Sequence, residues 1–96
     1  MLSNISMSDF LKYLPSGQII DIRSIEKYNH NHIPNAKNIP MEKLIAEPEK
    51  YLNRFENYYI YCQNGIKSKK VCQILRSLGY KAINIDGGYE SWILEK

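Results

Sequence analysis

The chain has 96 residues, a formal charge of +3, 44% hydrophobic and 24% charged residues. That suffices for one domain, expected over residues 1–96, with a core burying about two-thirds of the unfolded surface without disulfide staples. It excludes a membrane span, for which roughly 18 consecutive apolar residues are needed, and the mild, scattered positive charge does not form the basic, aromatic-interleaved stripe of a nucleic-acid binder.

Ser6-Met7-Ser8-Asp9 reads as a helix start, with Phe10, Leu11 and Leu14 on its apolar face and Pro15-Ser16-Gly17 ending it. Gln18 to Ile22 is a short isoleucine-rich run suited to a buried strand. Ser24 caps a short helix through Tyr28, and residues 30–37 read as loop. Ile39 makes a brief strand closed by Pro40. Met41 to Ala46 and Pro48 to Phe55 have helical character, with Pro48 in a first turn. Tyr58 to Tyr61 is the next strand. From Ser68 a helix is expected to face inward through Val71, Ile74, Leu75 and Leu78, with Gly79 as its terminator. Ala82 to Ile85 is a further strand, Asp86-Gly87-Gly88 a turn, and Tyr89 to Leu94 a last helix that buries Trp92.

Nearly all-apolar strands alternating with helices predict an α/β fold, a small central parallel sheet flanked by helices on both faces. Sites in such sheets form at the carboxyl ends of the strands. Asp21, Cys62 and Asp86 lie at or near such ends.

The segment Cys62-Gln63-Asn64-Gly65-Ile66-Lys67-Ser68 therefore stands out. It joins strand to helix with a cysteine first, where backbone N–H groups and the positive end of a helix dipole favour thiolate over thiol. The chain has only two cysteines, too few for a disulfide framework, and no signal-peptide pattern, so a cytoplasmic, reducing location is expected. Lysine outnumbers arginine ten to three, and the one tight cluster, Lys67, Lys69 and Lys70, adjoins Cys62, where it would attract an anionic substrate or an acidic partner.

Three segments together resemble the single-domain rhodanese-like sulfurtransferases. The first is Ile20-Asp21-Ile22-Arg23 with Glu26 and Tyr28, followed by His32-Ile33-Pro34-Asn35-Ala36-Lys37-Asn38-Ile39-Pro40. The second is the Cys62 to Ser68 loop. The third is Gly79-Tyr80 with Ile85-Asp86-Gly87-Gly88 and Trp92. They span residues 20–92 in the family's order. The resemblance implies a parallel sheet flanked by helices and a persulfide mechanism without metal or cofactor. Cys62 would take the outer sulfur of a donor such as thiosulfate or a persulfide and pass it to a thiol, to cyanide, or to a protein acceptor. The substrate-binding positions would be Gln63, Asn64, Gly65, Ile66, Lys67 and Ser68, whose amides would stabilise the negative charge. The alternative within the same fold is a partner-dependent sulfur carrier with little turnover of its own.

Dual-specificity phosphatases place an arginine after five intervening residues; here that position is Ser68, and the loop holds no arginine to grip a phosphoryl group bidentately. The family's usual arginine at position 67 is lysine, and its two glycines flanking the histidine and proline are Asn31 and Asn35. Asparagine tolerates a left-handed backbone, so those turns are expected to survive. Cys72 is read as a small core residue, His32 as a structural loop histidine, His30 as exposed, and Ser68 as a helix cap or loop donor.

Overall fold

The computed structural model describes residues 2–96. Five strands, β1 (Asn4–Ser6), β2 (Gln18–Asp21), β3 (Lys37–Asn38), β4 (Asn57–Tyr61) and β5 (Lys81–Asp86), form one sheet in the order β1-β5-β4-β2-β3, with every pair parallel. Five helices cover it: α1 (Met7–Tyr13), α2 (Ile25–His30), α3 (Met41–Ala46), α4 (Ile66–Ser77) and α5 (Gly88–Glu95).

Strand periodicity divides the interior into two cores. On central strand β4, Tyr58 and Ile60 face one side and Tyr59 and Tyr61 the other. Tyr58 and Ile60 join Leu44 of α3 and Val71, Cys72 and Leu75 of α4. Tyr59 and Tyr61 join Met7 and Phe10 of α1 and Trp92 of α5. Burying each of these large side chains contributes about 1.5–3 kcal/mol. The same alternation on β5 turns Ala82, and with it the polar Asn84, toward α4.

Several sequence expectations need correction. Asn4–Ser6 is an edge strand on β5; with one apolar residue in three it shows no readable period. Leu14 does not join the α1 face. It is the C-cap with φ +43°, and its side chain is 68% exposed, because the residue before Pro15 is driven out of helical geometry. The helix expected over 48–55 is a single 3₁₀ turn, Pro48–Lys50. Beyond it the Asn53 carboxamide accepts the N–H groups of Phe55 and Glu56 and replaces helical bonding.

The α4 helix begins at Ile66, two residues earlier than expected, behind a left-handed Gly65. Its buried face is Ser68, Val71, Cys72 and Leu75, while Ile74 and Leu78 are exposed. The face is rotated because Ser68, a polar residue, is buried by a hydrogen bond to Asn84. Ser68 consequently lies inside the first turn and is not the cap.

Candidate functional site

Strand β4 ends at Tyr61, and the chain then curls Cys62 to Gly65 under the amino end of α4. The Cys62 Sγ accepts hydrogen bonds from the backbone N–H of Gly65 (3.1 Å) and of Ser68 (3.3 Å). These are donors at a helix start that have no intrahelical partner, and here they converge on sulfur. The Ile66 N–H does not, since the Asn64 side chain takes it at 3.1 Å. Of the loop amides, two thus reach the sulfur. The Ser68 hydroxyl stands 3.2 Å from Sγ.

Two supports hold the loop in this curl. One is the Asp86-Gly87-Gly88 turn, expected only to connect β5 to α5. The carbonyls of Cys62 and Gln63 accept the N–H groups of Tyr89 (2.9 Å) and Glu90 (3.0 Å) in the first turn of α5. This approach is close enough that a Cβ on Gly88 (φ +59°) would collide with the Cys62 carbonyl, and one on Gly65 (φ +91°) would stand 2.7 Å from the Gly87 nitrogen.

The other support is Arg23. Its guanidinium binds the buried Asp21 carboxylate at 2.8 Å, the Asn31 carbonyl at 2.6 Å and the Gln63 side chain at 3.2 Å. It also lies 4.0 Å over the Tyr89 ring. Burial disfavours its charge, but the Asp21 carboxylate more than compensates and holds its pKa above the usual value. Asp21 and Arg23 therefore act on the cysteine loop through Gln63.

A cavity of about 250 Å³ opens beside Cys62, lined among others by Arg23, Lys27, Met41, Glu42, Gln63 and Lys67. The Arg23 charge is paired with the buried Asp21 carboxylate, so Lys27 and Lys67, which make no ion pair among the described residues, supply the unpaired positive charge at this mouth. Both also border a second depression over Cys62, Gln63, Asn64 and Ile66, where Ile66 is exposed. Lys27 was missed from sequence; only its place on α2, one turn from the Ser24 cap, brings it here.

The remaining candidates lie apart from the sulfur. The His32 ring nitrogen Nδ1 meets the Tyr28 carbonyl at 2.9 Å, and its ring stacks on Tyr28 at 3.8 Å. His30 is exposed. Asn35 adopts the left-handed backbone with φ +72°, whereas Asn31 is extended. Cys72 is wholly buried, and burial pushes its thiol up to about 12. Among the described residues no group of three His, Cys, Asp or Glu side chains comes together to hold a metal ion, and no helix is long and apolar enough to cross a membrane.

The rhodanese-like domain matches this chain over residues 6–95. The chain belongs to the rhodanese-like family. Thiosulfate sulfurtransferase GlpE of Coxiella burnetii is 36% identical over 75 residues, covering 77% of this chain and 69% of GlpE. The putative sulfur carrier protein YrkF of Bacillus subtilis is 30% identical over 95 residues, covering 95% of this chain and 51% of YrkF. The human single-domain sulfurtransferase TSTD1 superposes with a TM-score of 0.85 at 27% identity, covering 100% of this chain and 99% of that one. Family and relatives together support a sulfurtransferase-type function, and the five-stranded parallel sheet is the rhodanese-like fold.

Proposed function

We propose that the protein moves sulfane sulfur through a persulfide on Cys62. The observation that carries this reading is the convergence of the Gly65 and Ser68 amides on the sulfur at the mouth of a cation-lined cavity. In the first step the Cys62 thiolate attacks the outer sulfur of thiosulfate. The donor S–S bond breaks, sulfite leaves with its electron pair, and Cys62 holds the sulfur as Cys–S–S⁻. In the second step an acceptor thiolate attacks that outer sulfur, and the electron pair of the breaking bond returns to Cys62. Lys27 and Lys67 attract the anionic donor, and fixed backbone donors stabilise negative sulfur without reorganising.

The test is intact mass after incubation with thiosulfate, beside the Cys62→Ser variant. A gain of one sulfur atom confined to the native protein and removed by a thiol is the expected result. Equal gain in the variant would overturn the assignment. A second reading, a carrier loaded by a protein partner, draws on the lysine at position 67. Lysine keeps the charge of the usual arginine but not its two-pronged grip on an oxyanion. It predicts no gain from thiosulfate and gain from a protein persulfide.

A further inference from the structure

Behind Cys62, away from the cavity, a chain of polar side chains runs through the core. Ser68 Oγ lies 2.5 Å from Asn84 Oδ1, and Asn84 Nδ2 lies 2.9 Å from Asp86 Oδ1. Ser68 and Asn84 are buried; Asp86 reaches solvent at the end of β5. Neither Asn84 nor Asp86 touches the sulfur, and an asparagine in the middle of an apolar strand calls for a reason.

The direction of each hydrogen follows from the far end. The Asp86 carboxylate only accepts, so Asn84 must turn its NH₂ toward it and its carbonyl toward Ser68. That carbonyl only accepts, so the single Ser68 hydroxyl hydrogen points at Asn84. Ser68 Oγ is left presenting a lone pair to Cys62 Sγ. A thiol donates into that lone pair. A thiolate has no hydrogen to give and meets the lone pair with its charge. Turning the Ser68 hydrogen to the sulfur would relieve this, but would strand the buried Asn84 carbonyl.

We propose that Asp86, acting through Asn84 and Ser68, is a positioning residue that holds the sulfur-free Cys62 as a hydrogen-bond-donating thiol, in opposition to the two amides that favour its anion. Given the persulfide reading, on which this consequence rests, the chain acts on the sulfur-free thiolate that both half-reactions pass through and leaves the sulfur-loaded form untouched. In Cys–S–S⁻ the charge sits on the outer atom, the inner sulfur is neutral, and the Ser68 lone pair opposes nothing. The relay therefore slows both loading, whose nucleophile is the Cys62 thiolate, and discharge, whose leaving group is that same thiolate.

The experiment is the rate of iodoacetamide addition at pH 7, followed by intact mass on the full chain. It requires no sulfur donor, so it stands or falls separately from the thiosulfate mass gain. Asp86→Ala and Asp86→Asn, which release the Asn84 amide, and Ser68→Ala, which removes the lone pair, are expected to accelerate the first addition roughly three- to tenfold, the range of one lost hydrogen-bond preference. Asp86→Glu keeps an acceptor-only carboxylate and is expected to stay near the native rate. The Asp86→Asn, Ser68→Ala double variant should be no faster than Ser68→Ala alone. Unchanged or slower addition in the two released Asp86 variants would overturn the proposal. So would full additivity in the double variant, which would mark Asp86 as acting through space. A second addition, at Cys72, reports any variant that has lost its fold; the solvent-exposed Asp86 series then carries the test alone.

Discussion

The two cysteines stand ten positions apart in sequence, line the same core cluster and are almost equally hidden, 5% exposed for Cys62 and 0% for Cys72. What surrounds each sulfur differs. Cys62 directly follows strand β4, where the chain leaves regular hydrogen bonding and two unpaired amides can turn toward it. Cys72 sits mid-helix, where every backbone N–H is already committed within α4. Desolvation there raises its thiol to about 12, Arg76 pulls weakly the other way, and the neighbouring Cys62 adds to the rise. The strand-to-helix loop, unlike the helix interior, offers a sulfur free backbone donors.

The largest effect that this contrast predicts is in alkylation. In the Cys62→Ser variant, Cys72 at pH 7 should react roughly 10³-fold more slowly in the native protein than in denaturant, since unfolding returns its thiol to an ordinary range near 8.5. Comparable rates in the two conditions would break the comparison. Next is Gly88→Ala. Its left-handed backbone and the collision with the Cys62 carbonyl should together cost about 1–3 kcal/mol and reduce sulfur gain from thiosulfate at least about tenfold, with Cys72 still protected. A thermal melt and the mass assay check this. Native-like loading would show that the α5 clamp is dispensable.

Much of this was legible in the chain. Apolar runs at 18–22, 58–61 and 82–85 located the strands because each is buried on both faces and reads as nearly continuous hydrophobicity. The cysteine loop was legible because a strand, a glycine-containing turn and a helix follow one another within a few residues. What stayed hidden depends on tertiary contacts. Edge strand β1 exists only because β5 offers it a free edge. The face of α4 is not legible from a Ser68 expected as helix cap or loop donor, because its burial depends on Asn84, 16 residues away. One signal does lie in the sequence: Asn84 interrupts the apolar run Ala82 to Ile85, and a polar residue at an inward strand position asks for a buried partner.

A smaller effect concerns stability against pH. Cys72 has a raised folded-state pKa, so its contribution is fully present below the unfolded value near 8.5 and is lost as pH rises toward about 12. Across that window it should steepen the loss of stability by up to about 1.4 kcal/mol per pH unit. Burial raises Tyr58, Tyr59 and Tyr61 as well, and these add to the slope above about pH 10. Denaturant melts of native protein and Cys72→Ala between pH 8 and 10 should therefore converge as pH rises. Parallel curves would place the cysteine in a more solvated site than its burial indicates.

The smallest predicted effect separates the two readings of the Cys62 mouth. Lys67 is exposed and borders both depressions over the sulfur, so it acts on an anionic donor as a point charge in high dielectric. Lys67→Gln should slow sulfur gain from thiosulfate only about threefold, and the difference should vanish near 1 M salt, where the screening length falls to about 3 Å. Lys67→Arg supplies a planar fork that can hold two donor oxygens at once and should accelerate the same step. If both variants load as the native protein does, the charge at position 67 does not meet the small donor. Repeating the measurement with a protein persulfide then decides whether that lysine serves a docked partner. A change confined to that donor would assign the mouth to a carrier.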